Sequence, residues 1–218
     1  ENTTGLRGGN VRFHWFCGLN YSQKPSGWNG FCTLADFYDK FEATDARRGG
    51  AYPGVTDVSG LRSGFLVGQQ FDQNGVALIA RDKSPLDFTR KVALTEVGTD
   101  LERTGIRVMK YLPDYTNSAD QQENEKVVFR LADIMLMKAE ALLRKGNAAG
   151  ALTIMNQIRA TRGATALASA TLDNLLEERG RELYWEGWRR NDMIRFGKFL
   201  DPLVAAPGTT STRPTKSG

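Results

Sequence analysis

Three glutamates near the carboxyl end of the sequence have the residue type and the spacing that acid–base chemistry requires. Glu178, Glu182 and Glu186 recur every four residues, which places them along one face of a helix. Glycosidases cleave glycosidic bonds with a pair of carboxyl groups, one of which donates a proton while the other attacks or activates water. The spacing therefore raises the hypothesis of a glycan-cleaving enzyme.

Arginines interleaved with these glutamates argue against catalysis. Arg179 lies three positions before Glu182, and Arg189 lies three positions after Glu186. A guanidinium within reach keeps a carboxyl group ionised, whereas a general acid needs apolar surroundings that raise its pKa. We therefore interpret the segment as a structural ion-pair network and expect no catalytic residues. The members of the predicted network are Glu178, Arg179, Glu182, Glu186, Arg189, Asp192 and Arg195.

A second group of residues has the composition of a ligand site. Residues 13–31 are rich in aromatic rings, with amide and imidazole side chains standing between them. Sugars present apolar C–H faces and hydroxyl rims, so flat rings beside hydrogen-bonding groups suit a carbohydrate. The largely neutral character of the stretch favours an uncharged glycan. The candidate carbohydrate contacts are Trp15, Trp28, Tyr21, His14, Asn20 and Asn29.

Core packing is the alternative role for the same rings, because most large aromatic side chains help to fill a protein interior. Phe16 and Phe31 are expected to be buried for this reason. Trp185 and Trp188, which lie inside the charged segment, are also expected in the core. Among the candidate contacts the two tryptophans are preferred, and the tyrosine follows them.

Composition narrows the classes of function. The 218 residues are 40% hydrophobic and 25% charged, as in ordinary globular proteins. The net charge is +4, and the basic residues are mixed with acids rather than gathered in a stripe, so no nucleic-acid partner is expected. One histidine and two cysteines do not form a four-ligand zinc pattern, and no metal or cofactor site is expected, although scattered Asp and Asn side chains leave calcium binding open. Cys17 and Cys32 fit either a disulfide or two thiols.

The chain has two parts that differ in composition and in sequence pattern, and a short tail follows them. Residues 1–125 contain most of the glycines and are typical of loops and short elements, whereas residues 126–200 have helical patterns. Residues 201–218 form the tail. Because no linker-like run separates these parts, we predict a single domain over 1–218. No apolar run approaches the ~18–20 residues of a membrane-spanning helix.

The loop-rich part contains two legible elements. Apolar side chains at helical spacing follow Thr33, and Asp36 suits the first turn of a helix, so a helix is predicted to begin there. Further along, the apolar segments 76–80 and 86–92 flank the polar turn 81–85. That arrangement predicts a β-hairpin with a longer loop.

The helical part predicts three helices. The first ends at Gly146, and the second begins after Asn147 and ends at Gly163. Such a short join forces an antiparallel pair, which is typical of tetratricopeptide units. A third helix is predicted to begin near Thr171. The expected inward faces are Leu131, Ile134, Met135, Ala139 and Leu142 in the first helix, and Leu172, Leu176 and Leu183 in the third.

Motifs spread over most of the chain resemble the SusD/RagB family. The run Phe-Arg-Leu-Ala-Asp-Ile-Met-Leu-Met-Lys-Ala-Glu-Ala at 129–141 is similar to the family signature, and the Asn-x-x-Arg at 156–159 fits the motif that follows it. The charged segment 178–195 fits the family's closing motif. Gly-Trp-Asn-Gly at 27–30 and the segment 105–111 are also similar.

The resemblance implies a mainly α protein, with tetratricopeptide-like antiparallel helix pairs and long loops that carry the ligand site. It implies a non-catalytic receptor for oligo- or polysaccharide on the extracellular face of the outer membrane, working with a SusC-like TonB-dependent transporter. The chain corresponds to the C-terminal portion of the family, and the N-terminal lipid anchor, the expected link to the membrane, is missing from it. The alternative is a helical-repeat adaptor that binds a protein or peptide in its groove.

Overall fold

The computed structural model contains short helices and strands in the first half of the chain and longer helices in the second half. The prediction of a mainly α fold with antiparallel helix pairs and a loop-rich segment is confirmed. The residues that the structure describes are 16–24, 26–51, 62–72, 74–92, 100–113 and 127–201.

Two compact units divide the chain, and each is described by itself. The loop unit comprises Glu1–Asp39, Gly49–Lys126 and Val204–Gly218, and the helical unit comprises Lys40–Arg48 and Val127–Leu203. The change from one unit to the other after residue 126 coincides with the change of composition and pattern in the sequence. The single domain over 1–218 stays a prediction.

Among the described residues of the loop unit, five short strands form two small antiparallel sheets. The larger sheet has the order β1 (Gly49–Ala51), β2 (Arg62–Leu66) and β5 (Arg107–Met109). The smaller sheet pairs β3 (Gly68–Gln69) with β4 (Asp87–Phe88). Two helical turns, α1 (Ala35–Tyr38) and α2 (Asp100–Arg103), belong to the same unit.

The core of the loop unit lies beside these sheets. Leu19, Leu86 and Met109 are fully buried in it, and the half-buried Phe16 packs against the same cluster. Through Phe16 and Leu19, the segment that contains the candidate carbohydrate contacts is therefore packed against this core.

The described residues of the helical unit form four helices and one 3-10 turn. The side chain of Asn147 accepts a hydrogen bond from the backbone of Gly150 at 2.8 Å, and Thr171 accepts one from Asn174 at 3.1 Å, so both residues are N-caps and the two helices begin where the sequence predicts. The elements are the 3-10 turn Ala46–Arg48, α3 (Leu131–Arg144), α4 (Ala148–Thr161), α5 (Leu172–Leu183) and α6 (Arg189–Arg195).

The inward face of α3 differs from the prediction. Leu131 is 76% exposed and Ile134 is also exposed, although both were expected inside. The apolar pattern misled because the face that packs carries two acids, Asp133 and Glu140, whose charges arginines balance. The same exposure is found at Leu172 of α5. The buried positions of α3 are Ala132, Asp133, Leu136, Ala139 and Glu140.

The predicted hairpin is present only in part. Ile79 and Pro85 form an isolated bridge, and the backbone N–H of Ala80 donates to the carbonyl of Ser84 at 2.8 Å, but no continuous ladder surrounds this turn in the described residues. The helix expected from Thr33 is one turn long. The backbone of Thr33 instead donates to the carbonyl of Ile106 at 2.7 Å, which uses it for sheet-like pairing rather than for a cap.

Candidate functional site

A buried carboxylate on α5 receives several guanidinium groups. Glu178 has no exposed surface and its two oxygens accept hydrogen bonds from three arginines. These are Arg47 at 2.6 Å, Arg159 at 2.8 Å and Arg181 at 2.8 Å. Such a site stabilises the ionised carboxylate and leaves it no proton to donate.

Glu182, one helical turn further along, is bound in the same way. Its carboxylate is buried and shares Arg47, at 3.1 Å, with Glu178. Two further arginines reach it, Arg130 at 2.6 Å and Arg162 at 2.8 Å. Arg130 in turn donates to Glu186 at 2.9 Å, which links the three glutamates into one network.

A second part of the network surrounds Arg179. This arginine is fully buried and donates to Asp133 at 2.9 Å and to Asp192 at 2.8 Å. Arg195 also donates to Asp192, at 2.8 Å, and to Glu140 at 2.9 Å. The helices α3, α5 and α6 are therefore joined through fixed ion pairs as well as through apolar contacts.

The partners differ from those that the helical spacing suggested. Arg189 donates to Glu177 at 2.9 Å and to the carbonyl of Leu176 at 2.7 Å, rather than to the neighbouring members of the predicted network. The physical reason is that α5 ends at Leu183. Trp185 then has a left-handed backbone with φ of +64°, so Glu186 does not continue along the helix face. Trp185 and Trp188, expected in the core, are only half-buried.

The electrostatic effect is clearest at Glu182. Burial raises its pKa, but the hydrogen bonds and charges of Arg162 and Arg130 outweigh burial and lower the pKa to about 2. The pKa of Glu178 is also lowered, since the charges of Arg47 and Arg181 overcome the effect of burial. Carboxyl groups with lowered pKa values stay ionised near neutral pH and do not serve as general acids.

Stability should therefore fall in acid in a way that depends on Glu182. The ordinary pKa of a glutamate is 4.5, so the ionised network contributes its full stability above that pH and loses it as the pH falls towards 2. We expect urea midpoints to drop between about pH 5 and pH 2, with a contribution of about 3 kcal/mol from this group. The control is Glu182→Gln, whose stability difference from the wild type should shrink as pH falls. A difference independent of pH would contradict the prediction.

Exposed aromatic rings lie on the loop unit. The side chain of Trp28 is 65% exposed, and Tyr21 and Phe31 are exposed as well. We call these three residues the aromatic surface. Phe31 was expected to be buried, and its exposure corrects that prediction. Phe16 lies under Trp28, with ring centroids 4.5 Å apart, and supports its ring from below.

Backbone hydrogen bonds hold the loop that carries this surface. The N–H of Trp28 donates to the carbonyl of Phe16 at 2.8 Å, and that of Asn29 donates to Leu19 at 2.8 Å. Gly27 passes so close to Leu19 that a Cβ there would lie 2.2 Å from the Leu19 carbonyl oxygen. The segments 16–19 and 28–31 therefore run side by side, which fixes the backbone that carries Trp28 and Phe31.

Arg107 secures the same loop from inside, a role that the sequence analysis missed. It is fully buried, and its guanidinium donates to the carbonyls of Gly18 and Phe31 at 3.4 Å and of Leu101 at 3.1 Å. Burial lowers its pKa. The ring of Phe88 lies 5.1 Å from its guanidinium carbon. The feature of the sequence that could have indicated this role is the position of Arg107 in the apolar segment that follows Gly105.

The amides among the candidate contacts have inward roles. Asn20 is fully buried, accepts from the backbone of Ser22 at 2.9 Å and donates to Glu102 at 3.3 Å. We therefore assign it a structural role and leave it out of the proposed site. Asn29 is half-buried and donates to the carbonyl of Leu101 at 3.0 Å. His14 and Trp15 lie outside the described residues.

An arginine from another segment reaches the aromatic surface. The guanidinium carbon of Arg81 lies 5.2 Å from the ring centroid of Tyr21, and its Nε donates to the carboxylate of Glu102 at 3.1 Å. Tyr21 is therefore flanked by a cation that the sequence stretch 13–31 does not contain.

The helical unit has a pocket of about 490 Å³. Its apolar lining comes from Met137, Trp188 and Ile194, beside the ion pair of Arg179 and Asp192. In the described ranges, the pocket included, no group of three or more His, Cys, Asp or Glu side chains could hold a metal ion. Within those ranges Cys17 and Cys32 are thiols rather than a disulfide, and none of the helices has the length and apolar content needed to cross a bilayer.

Comparison with known sequences identifies related proteins. The sequence model described as the SusD family matches residues 8–212. A SusD-like protein of Formosa agariphila is 30% identical over 140 residues, which cover 58% of this chain and 27% of that protein. The starch-binding protein SusD of Bacteroides thetaiotaomicron is 40% identical over 73 residues, which cover 33% of this chain and 13% of that protein.

Two solved structures have a similar fold. A surface glycan-binding protein A from Bacteroides uniformis has a TM-score of 0.53 at 24% identity, and the match covers 88% of this chain and 35% of that one. A SusD-like protein from Bacteroides fragilis has a TM-score of 0.51 at 23% identity, covering 78% of this chain and 37% of that one. The chain thus spans well under half the length of the proteins that it matches.

Proposed function

We propose that this chain, which belongs to the SusD family, binds oligo- or polysaccharide without cleaving it. The observation that carries the proposal is the aromatic surface of Trp28, Tyr21 and Phe31, exposed on a loop that backbone hydrogen bonds hold in place. Two similar proteins are named for binding starch and glycan, which supports the ligand class.

The physical basis is contact between rings and the C–H faces of sugars. An aromatic side chain has few torsions to immobilise and offers a large apolar area, so a preformed surface binds with little loss of entropy. An open surface of this kind suits a dissociation constant from micromolar to millimolar, or about −4 to −8 kcal/mol. Repeated units along a polysaccharide raise the effective strength by multivalency.

The carboxylates support a non-catalytic role. A glycosidase needs two carboxyl groups about 5–10 Å apart across a cleft, one of them protonated. Glu178 and Glu182 are buried and receive several guanidinium groups each, and their lowered pKa values leave neither one protonated near neutral pH. The network therefore stabilises helix packing instead of supplying an acid catalyst.

Family membership supports a proposal for the cellular placement and the partner of this protein. We expect the protein on the extracellular face of the outer membrane, attached through an N-terminal lipid anchor. There it would present glycan to a SusC-like TonB-dependent transporter. No nucleic acid and no cofactor are expected. Co-purification of the full-length protein with such a transporter tests the partnership.

A helical-repeat adaptor that binds a peptide is the second candidate. The pocket beside Trp188, together with the exposed Leu131 and Ile134 on α3, is the observation that favours it. The two candidates differ in which variant abolishes binding. Trp188→Ala should impair an adaptor, whereas a glycan receptor should depend on the loop unit.

Trp28→Ala is expected to weaken glycan binding about tenfold or more, because the ring that provides the largest exposed apolar area is lost. Isothermal titration and affinity electrophoresis against a polysaccharide panel measure the change, and Trp15→Ala extends the test to the other preferred tryptophan. Phe199→Ala, an exposed ring of the helical unit, is the matched control. Undiminished binding by Trp28→Ala would remove the aromatic surface as the site, and turnover of any polysaccharide would restore the enzyme hypothesis.

A further inference from the structure

An exposed arginine is fixed in orientation beside the aromatic surface. Arg81 donates from Nε to Glu102 at 3.1 Å, and its guanidinium stacks over Tyr21. The Glu102 side chain is fully buried, whereas the Arg81 side chain is 68% exposed. The carboxylate therefore holds the inner edge of the guanidinium plane, and the outer edge faces solvent next to the ring.

The outer edge of this guanidinium is unused. Across the described segments, neither terminal nitrogen of Arg81 donates a hydrogen bond to the protein. A guanidinium held in one plane presents two parallel N–H groups, which match the oxygens of a carboxylate or a sulfate. Because orientation is already fixed, little side-chain entropy remains to be lost on binding.

An arginine that binds one carboxylate still has N–H donors for further acceptors. In the helical unit of this chain, Arg47 contacts Asp45 at 2.7 Å, Glu178 at 2.6 Å and Glu182 at 3.1 Å at the same time. Arg81 likewise retains binding capacity beyond Glu102. On the same turn Lys83 is exposed as well, and the acid between the two cations, Asp82, is paired with Arg103 at 3.4 Å.

We propose that the glycan bound at the aromatic surface carries an acidic group, and that Arg81 binds this group while the sugar ring contacts Tyr21. The shared chemistry is an anionic oxygen cluster on a sugar, either the carboxylate of a uronic acid or a sulfate ester. The inference rests on the proposed glycan-binding function and replaces the uncharged ligand expected from residues 13–31.

Titration of the folded chain against matched acidic and neutral polymers tests the inference. Polygalacturonate is compared with its methyl ester, and dextran sulfate with dextran, which separates carboxylate from sulfate. The wild type should bind at least one acidic polymer about tenfold more tightly than its neutral counterpart, with affinity falling as salt is added. Arg81→Gln should abolish that preference and keep the binding of the neutral polymer.

Two further variants distinguish the loss of the Arg81 contact from a loss of folding. The double variant Arg81→Gln with Glu102→Gln leaves no buried carboxylate without its arginine, and it should also lose the acidic preference. Arg190→Gln, an exposed arginine of the helical unit that stacks on Phe199, should behave as the wild type. Thermal melting of each variant confirms that it is folded.

The outcomes separate the two proposals. Equal affinity for acidic and neutral polymers overturns the inference about Arg81, as does an acidic preference that survives both Arg81 variants. The second result would indicate diffuse charge attraction. In either case a loss of binding in Trp28→Ala keeps the aromatic site intact. Failure of every polymer to bind, or no effect of Trp28→Ala, overturns the glycan-binding proposal itself and the inference with it.

Discussion

Glu182→Ala is expected to lower the free energy of unfolding by about 3–5 kcal/mol, since it removes a buried carboxylate whose charge helps to balance three guanidinium groups. Arg130 and Arg162 both donate to Glu182, and Arg47 reaches it as well. Of these, Arg162 is exposed enough to regain water, whereas Arg47 is not. Urea unfolding followed by circular dichroism measures the loss. Glycan binding by the protein that remains folded should be unchanged.

The matched control for this variant is Asp173→Ala. Asp173 is an exposed acid of α5 whose contact with Lys198, at 3.6 Å, is a surface ion pair. Such pairs contribute at most about 1 kcal/mol, so the control should unfold nearly as the wild type. Equal stability of the two variants would contradict a structural network. Loss of binding by Glu182→Ala at unchanged stability would instead indicate a role in the ligand site.

Gly27→Ala is the second substitution with a large expected effect. The added Cβ would lie 2.2 Å from the carbonyl oxygen and 2.6 Å from the carbonyl carbon of Leu19, which is itself buried in the core of the loop unit. Backbone atoms cannot rotate away as a side chain can, so the loop has to move. We expect a loss of about 2–3 kcal/mol and weakened glycan binding, because Trp28 follows directly. Thermal melting and titration measure both effects.

Gly30→Ala provides a control within the same motif. A Cβ at Gly30 would meet the carbonyl oxygen of Cys17 at 3.4 Å, which is an ordinary contact. This variant should melt within about 0.5 kcal/mol of the wild type, as surface substitutions usually do, and should bind glycan normally. If both alanine variants behaved alike, close approach at Gly27 would not be what positions Trp28.

Sequence reasoning named members of the ionic network that do pair with one another, such as Arg179 and Asp192, but it missed the arginines that come from distant segments. The four-residue spacing of glutamates showed where carboxylates gather, since that spacing is local. Arg47, Arg130 and Arg159 come from distant segments, and no local pattern links them to α5. The turn at Trp185 also ended the helix earlier than the continuous charge pattern implied.

The sequence likewise indicated some residues of the candidate site and missed others. The aromatic composition of 13–31 pointed to the exposed Trp28 and Tyr21, because clustered rings in a polar loop are visible in a sequence. Arg81 was interpreted as part of a solvated turn, since its contact with Tyr21 depends on how two remote loops fold. The sheet formed by β1, β2 and β5 was also missed, because its strands are too short to show an alternation of apolar and polar residues.

The sharing of Arg47 between Glu178 and Glu182 has a consequence for how this chain tolerates change. Groups that share a partner do not contribute independently, so the effects of substitutions there are strongly epistatic. A single replacement strands a charge, whereas a concerted replacement by apolar residues of similar volume can be neutral or stabilising. A library that varies these positions one at a time would therefore recover mainly the starting residues, and only combinatorial libraries would reach the alternative packings.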